Sequence, residues 1–292
     1  MKFGVIFANS GPFSRAEAAV SMVTAAERAG FESVWTVEHV VVPAGYESEY
    51  PYDPSGKMPG RDSAPIPDPL IWLAYLAAVT TTIKLATGIL IVPQRNPLVL
   101  AKEIATLDNL SGGRFHLGLG VGWLEEEFDA LNVPFSERGR RTDDYVAAMR
   151  SLWENETASH HGEFVNFENC ICSPRPVQDR IAVTVGGHSE AAARRAGRLG
   201  AGFFPATGSH AELRRLHLLA RETAEKFGND PATIEFTSGG YGVFGPNALD
   251  EAQKLSDIGV ERIVVPSFLF FKDTENLIAQ YGEEVIQKAQ SL

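Results

Sequence analysis

The stretch from residue 83 to residue 123 constrains the fold more than any other part of the chain. Residues 84–92 read KLATGILIV and residues 115–123 read FHLGLGVGW, two strand-like runs that end in glycine-bearing turns. Between them, PLVLAKEIATLDNLSGGR (97–114) carries helical spacing and a glycine stop. A strand–helix–strand unit of this kind is parallel. A parallel sheet sends the carboxyl ends of its strands to one edge, and ligands bind at that edge in open sheets and in barrels alike. The unit therefore sets a fold class and marks where chemistry belongs.

The same alternation runs the length of the chain. Strands are expected at 3–7, 33–37, 84–90, 114–119, 181–185, 202–205, 234–244 and 262–266. Helices are expected at 15–29, 70–81, 97–110, 125–131, 142–153, 189–199, 211–227, 248–258 and 274–289. The alternating run HGEFVNFENCICSP within 160–176 reads as a hairpin inserted between the fourth and fifth strands. Eight strand–helix units with no linker point to an α/β protein of one domain over residues 1–292, a closed (β/α)8 TIM barrel. A doubly wound open sheet is the alternative. It would want G-x-G-x-x-G opening a helix after the first strand, where this chain has ANSGPFS. Residues 40–69 break the rhythm with a proline-rich loop that also holds Tyr46, Tyr50 and Tyr52, and a loop this long in a compact domain is usually functional.

Charge and cysteine usage bound the partners. The 37 acidic against 26 basic side chains leave a net charge of −11, which disfavours a nucleic acid. No apolar run nears the ~18 residues of a membrane span, and Lys2 is followed at once by the strand FGVIF rather than a signal peptide. The expectation is a cytoplasmic, reducing setting, with Cys170 and Cys172 as two reduced thiols on one strand face. A zinc site would need more ligands than His160 and His161 nearby, so no metal is expected.

Candidate site residues are those just past the carboxyl ends of strands. The second strand delivers Glu38 and His39, a titratable imidazole with a carboxylate that could hold its tautomer. The third delivers Thr87, Gly88 and Ile89, as cofactor-binding residues or as no more than a bulge or a tight exit from the barrel. The fourth delivers Gly118, Gly120, Gly122 and Trp123. Glycine at every second position leaves one strand face bare, with room for a flat ligand or a packed ring. Glu125, Glu126 and Glu127 follow, as pocket acids or as a first helical turn favoured by the helix dipole. After the fifth strand, Gly186, Gly187, His188 and Ser189 open a helix and could cradle a phosphate on backbone N–H groups, or Ser189 could serve only as an N-cap. Thr207 and Gly208 after the sixth strand could add donors to the same anion. Arg138, Arg140 and Arg141 read either as a solvated helix start with ion pairs or as a clamp for an acidic group.

These pieces, in this order, resemble the luciferase-like monooxygenase superfamily, in the branch of deazaflavin (coenzyme F-420) dependent oxidoreductases. The matching segments are GFESVWTVEH, KLATGILIVPQRNP, LDNLSGGRFHLGLGVGWLEEEF, FSERGRRTDDY, CSPRPVQ and VGGHSEAAARRAGRLGAGFFP. The resemblance implies a luciferase-like (β/α)8 barrel with a deazaflavin or flavin ring at its carboxyl end. By that likeness His39 falls on the active-site histidine and Glu38 on a position that many members fill with Asp. Gly88-Ile89 falls on a non-prolyl cis peptide behind the ring, and Gly186-Gly187 on the phosphate loop. Trp123 and Glu126 fall on pocket positions that carry catalytic acids in some members. The implied reaction is hydride transfer between coenzyme F-420 and a small organic substrate, with His39 as acid/base tuned by Glu38. An FMN-dependent monooxygenase and a non-catalytic flavin-binding barrel are the alternatives. The resemblance also implies a homodimer that pairs through the helices at 70–81 and 97–110.

Overall fold

Strand runs such as KFGVI, SVWT and RIVVP carry apolar side chains on both faces, so each must be covered from two sides. The computed structural model, which describes residues 1–291 apart from Thr207, Gly240 and Tyr241, shows how they are covered. The strands are β1 (Lys2–Ile6), β2 (Ser33–Thr36), β3 (Lys84–Thr87), β4 (Leu90–Ile91), β5 (Phe115–Gly120), β6 (Ala158–His161), β7 (Asn166–Cys170), β8 (Ala182–Gly186), β9 (Gly202–Phe204), β10 (Thr237–Gly239) and β11 (Arg262–Pro266). The main sheet runs β10-β11-β1-β2-β3-β5-β8-β9, with every pair parallel and β4 added beside β5. Its two edges meet at one parallel bridge between Phe203 and Phe236, where the Phe203 N–H donates to the Glu235 carbonyl at 2.8 Å. The result is a nearly closed barrel of eight parallel strands.

Helices α1 (Ala16–Ala29), α2 (Pro69–Ala77), α3 (Pro97–Ser111), α4 (Glu125–Ala130), α5 (Arg138–Glu154), α6 (Glu190–Leu199), α7 (His210–Lys226), α8 (Ala248–Asp257) and α9 (Thr274–Tyr281) connect the strands. Local chemistry starts and stops them. Asp68 and Asn96 cap α2 and α3 through side-chain oxygens with proline at the first turn, and Gly30, Gly112 and Gly200 end α1, α3 and α6 at positive φ. The antiparallel β6–β7 hairpin lies between β5 and β8, as the alternation of 160–176 implies. Cys170 ends it and Cys172 is buried just beyond, both as free thiols.

Several boundaries differ from the sequence reading. α5 begins at Arg138 rather than 142, because Arg141 pairs with Glu137 one turn back and Arg140 pairs with Glu163. Those pairs favour the solvated-start reading of the arginine run for Arg140 and Arg141. The third strand stops at Thr87 and resumes at Leu90, with Gly88-Ile89 bulged out between. Among the described residues the seventh barrel strand is Thr237–Gly239. The last helix gives way to a π-turn at Gly282–Ile286.

The barrel interior positions the site by closing one end. Arg262 is 1% exposed at the amino-terminal mouth, gripped by Glu32 and Glu235, which also pair with Lys84 and Lys2. Above this ionic plug sit Trp35, Ile6, Ala86, Phe204 and Val264. His116 tilts against Trp35 at 5.2 Å and bonds Thr184 Oγ1 at 2.8 Å. Burial, aided by the Arg262 charge, pushes its pKa down to about 3, so it is a neutral packing element. The carboxyl-terminal mouth is left for ligands.

Candidate active site

His39 lies three residues past the end of β2, and its Nδ1 is 3.0 Å from Glu127 Oε2 on α4. The two side chains are 8% and 0% exposed. Glu127 Oε1 accepts the N–H groups of Val40 at 2.6 Å and Val41 at 3.2 Å. A carboxylate facing those amides can only accept, so Nδ1 carries the proton and Nε2 is the free ring nitrogen, without a hydrogen-bond partner among the described residues.

Glu38 does not fill the role expected of it. Neighbouring residues of an extended chain point to opposite sides, and Glu38 turns away from the imidazole. It accepts the Ile91 N–H on one oxygen and both Nε and Nη2 of Arg95 on the other. Arg95 Nη2 also donates to Asp68 Oδ2 at 2.6 Å. Burial pushes the Glu38 carboxyl up, against the pull of Arg95 and the Ile91 amide. The group ties the end of β2 to the β3–β4 bulge and to the start of α2. Glu126 is also committed elsewhere. It accepts Glu47 N–H at 2.6 Å, Ser48 N–H at 3.0 Å and Ser48 Oγ at 2.7 Å. The Ser48 hydroxyl leads the causes that hold its carboxyl down at about 2, an anion bound to the long loop rather than an acid aimed at substrate.

The glycine ladder of β5 is filled by protein. A Cβ on Gly118 would sit 1.8 Å from the Thr87 carbonyl oxygen, and one on Gly120 would sit 2.5 Å from Ile89 Cδ1. A Cβ on Gly186 would come within 2.4 Å of Ile89 Cγ2. The bare backbone thus receives the bulge, whose Gly88-Ile89 peptide is cis as the resemblance implies. The Thr87 hydroxyl is spent on the Gly118 carbonyl at 2.6 Å. What faces the mouth here is the Ile89 side chain, wedged between Gly120 and Gly186, and not an open glycine face.

Aromatic rings wall the imidazole. Trp123 meets His39 edge-on at 5.8 Å, Tyr46 at 5.5 Å and Tyr50 at 5.2 Å, and Tyr50 meets Tyr52 at 5.4 Å. The loop that carries the tyrosines is pinned by Glu126, by Lys57 Nζ on the Tyr46 carbonyl at 2.7 Å, and by buried Asn9, which bonds Val37 and Pro67 carbonyls at 2.9 Å each.

The expected phosphate cradle is narrower than its sequence suggests. The Gly187 N–H donates to the Phe204 carbonyl at 3.0 Å, so that amide is already spent. The Tyr52 hydroxyl meets the His188 amide. His188 Nδ1 donates to the Pro205 carbonyl at 2.7 Å, and Gly208 packs on its ring, where a Cβ would come within 2.7 Å. Ser189 is the N-cap of α6, accepting the Ala192 N–H at 3.2 Å. Thr207 lies outside the described residues.

Sequence reasoning missed Arg95 and Asn9 as parts of this site, and it left Glu127 open between a pocket acid and a first-turn acid without pairing it with His39. For Glu127 the available signal was its burial side: on α4 it shares the inward face with Phe128, whereas Glu125 is exposed as a first-turn acid. Taken together the residues fit a flat ring with an anionic tail. Ile89 offers an apolar shelf, His39 a ring nitrogen with no partner among the described residues, and the start of α6 its dipole and the His188 amide where the Tyr52 hydroxyl now sits.

The chain belongs to the luciferase-like monooxygenase family, whose sequence model matches residues 1–276. It is 32% identical over 280 residues to an uncharacterized protein of Mycobacterium tuberculosis, covering 92% of this chain and 94% of that one. It is 31% identical over 218 residues to the F420-dependent glucose-6-phosphate dehydrogenase of Kineococcus radiotolerans, covering 73% of this chain and 59% of that enzyme. Its structure superposes on monooxygenase RslO1 from Streptomyces bottropensis with TM-score 0.77 and 25% identity over 99% of both chains. Members of the family are oxidoreductases or monooxygenases.

Proposed function

We propose that this protein transfers a hydride between coenzyme F-420 and a small organic substrate, with His39 moving the accompanying proton. The observation that carries the reading is the buried His39–Glu127 contact at the barrel mouth, which leaves one imidazole nitrogen unspent beside an aromatic wall. The deazaflavin, when bound, supplies or takes up the hydride. The protein does the rest. Ile89 backs the ring, the α6 terminus receives the phosphate, and Trp123 with the tyrosines excludes water. His39, as the imidazolium, would give its Nε2 proton to the carbonyl oxygen of the substrate as the carbon accepts the hydride, and the neutral ring would take that proton from the alcohol in the reverse direction. General acid–base help of this kind is worth about 10²–10⁴ in rate.

The likeness to monooxygenase RslO1 along the whole chain favours a second reading, a monooxygenase on the same fold, for which FMN is the cofactor to test. Titrating the purified protein with F-420 and with FMN, each followed by its absorbance, separates the two. Tight F-420 binding with His39→Asn turnover reduced 100-fold or more at about the same affinity supports the first reading. Binding of FMN alone overturns it. We also propose a homodimer through α2 and α3, whose Ile71, Tyr75, Val99 and Leu110 are exposed apolar side chains. Sedimentation at monomer mass would refute that pairing.

A further inference from the structure

We infer that Glu127 is the positioning residue of this site: it fixes which nitrogen of His39 works. The inference rests on the reading of His39 as the proton-moving group. Three donors converge on one buried carboxylate. Two are the amides of Val40 and Val41 on Oε1, and the third is His39 Nδ1 on Oε2. The amides have no other role to offer, so they set the plane of the carboxylate and leave Oε2 aimed at the ring. The other neutral tautomer would turn the Nδ1 lone pair against a carboxylate lone pair. The contact therefore selects Nδ1–H, and Nε2 becomes both the acceptor of the neutral ring and the donor of the imidazolium. Trp123 holds the ring from its edge at 5.8 Å, with planes 87° apart, so rotation is restrained from a second side.

Other charged groups near His39 are already matched. Glu38, its chain neighbour, is taken by Arg95, and Arg95 also holds Asp68. Glu126 is bound to Glu47 and Ser48 on the loop. Tyr46 and Tyr50 stand behind Trp123. Among the described residues, Glu127 is the one carboxylate in direct contact with the imidazole.

The test is long-range ¹H–¹⁵N NMR of the histidine rings in ¹⁵N-labelled protein, with the His39 signals identified by their loss in His39→Asn. The expected wild-type pattern is Nδ1–H with Nε2 unprotonated. In Glu127→Gln the amide oxygen stays on Val40 and Val41 and the NH₂ group faces the ring. His39 should switch to Nε2–H, because the amide NH₂ can only donate to Nδ1. Glu127→Asp keeps the charge and should restore the Nδ1–H pattern, which loss of folding alone would not do. A wild-type ring protonated on Nε2, or a Glu127→Gln ring with unchanged tautomer, overturns the inference. The two readings fail separately. If the tautomer switches but His39→Asn turns over normally with F-420, only the proton role of His39 falls. If His39→Asn is inactive and the tautomer does not switch, only the role of Glu127 falls.

Discussion

Replacing Arg95 by Met should destabilise the fold more than any conservative change at Glu38, and the difference should depend on pH. Glu38 is 6% exposed, and two of its three donor contacts come from Arg95. Removing the guanidinium leaves a buried carboxylate with only the Ile91 amide, and breaking a buried pair in this way costs about 3–5 kcal/mol. Glu38→Gln keeps an acceptor for Ile91 and loses charge-assisted bonds worth about 1.5–3 kcal/mol. In Glu38→Met/Arg95→Met the uncompensated charge is gone, and the main residue of the damage is the Ile91 N–H at about 1–3 kcal/mol. The double variant should therefore be more stable than Arg95→Met alone, a coupling that urea titration of the wild type, Glu38→Met, Arg95→Met and the double variant would measure. The pH sign follows from the same contacts. Burial already raises the Glu38 carboxyl, and without Arg95 the main opposing influence is gone. A carboxyl raised in the folded state lowers stability fully above its folded value, and that loss fades as pH falls toward the unfolded value. The Arg95→Met deficit should thus be smaller at pH 5 than at pH 7. Additive single effects, or a deficit equal at both pH values, would refute the assignment of Glu38 as a buried clasp.

Three further outcomes follow from the same geometry. Gly120→Ala drives a methyl to 2.5 Å from Ile89 Cδ1 and should cost about 1–3 kcal/mol by thermal or urea unfolding, with Ile89→Ala in the same chain recovering much of it; no recovery would mean the glycine is needed for something other than the bulge. Tyr52→Phe frees the His188 amide and should tighten binding of a phosphate-bearing cofactor several-fold in an absorbance titration, whereas equal or weaker binding would remove Tyr52 as an occupant of the anion site. Glu32, lowered from 4.5 to about 2 against the opposing effect of burial by Arg262, Ser33 and Lys84, should contribute about 3 kcal/mol above pH 4.5 that is lost as pH falls to 2. Acid titration of Glu32→Gln should be flatter across that window, and a parallel pair of curves would discount the plug.

The parts of this molecule that could be read from the chain are those set by local periodicity. Strand positions, helix stops at Gly30, Gly112 and Gly200, and the inserted hairpin each depend on residues a few positions apart, so spacing reveals them. The rim position of His39 follows from its place after a strand. What spacing conceals is which groups meet across the mouth. Glu38 and Glu127 are 89 positions apart and chemically alike, and only the twist of β2 and the pitch of α4 decide that the distant one meets His39. The glycines of β5 carry the same lesson. Alternate glycines state that something approaches the backbone closely, and the choice between ligand and protein depends on where Ile89 goes, on the neighbouring β3–β4 strand and well before the motif in the chain.

That division gives the three acids near the mouth separate tasks. Glu38 fastens the bulge that presents Ile89, Glu126 fastens the loop that presents the tyrosines, and Glu127 fastens the ring of His39. Each binds backbone amides as well as its side-chain partner, so each couples a chemical group to the position of a chain segment. Substitutions at the three should consequently separate by readout. Loss at Glu38 should act on stability and on ring affinity through Ile89. Loss at Glu126 should act on loop mobility. Loss at Glu127 should act on the His39 tautomer. A common response at all three would show that the mouth behaves as one cooperative unit, and that the imidazole has no support of its own.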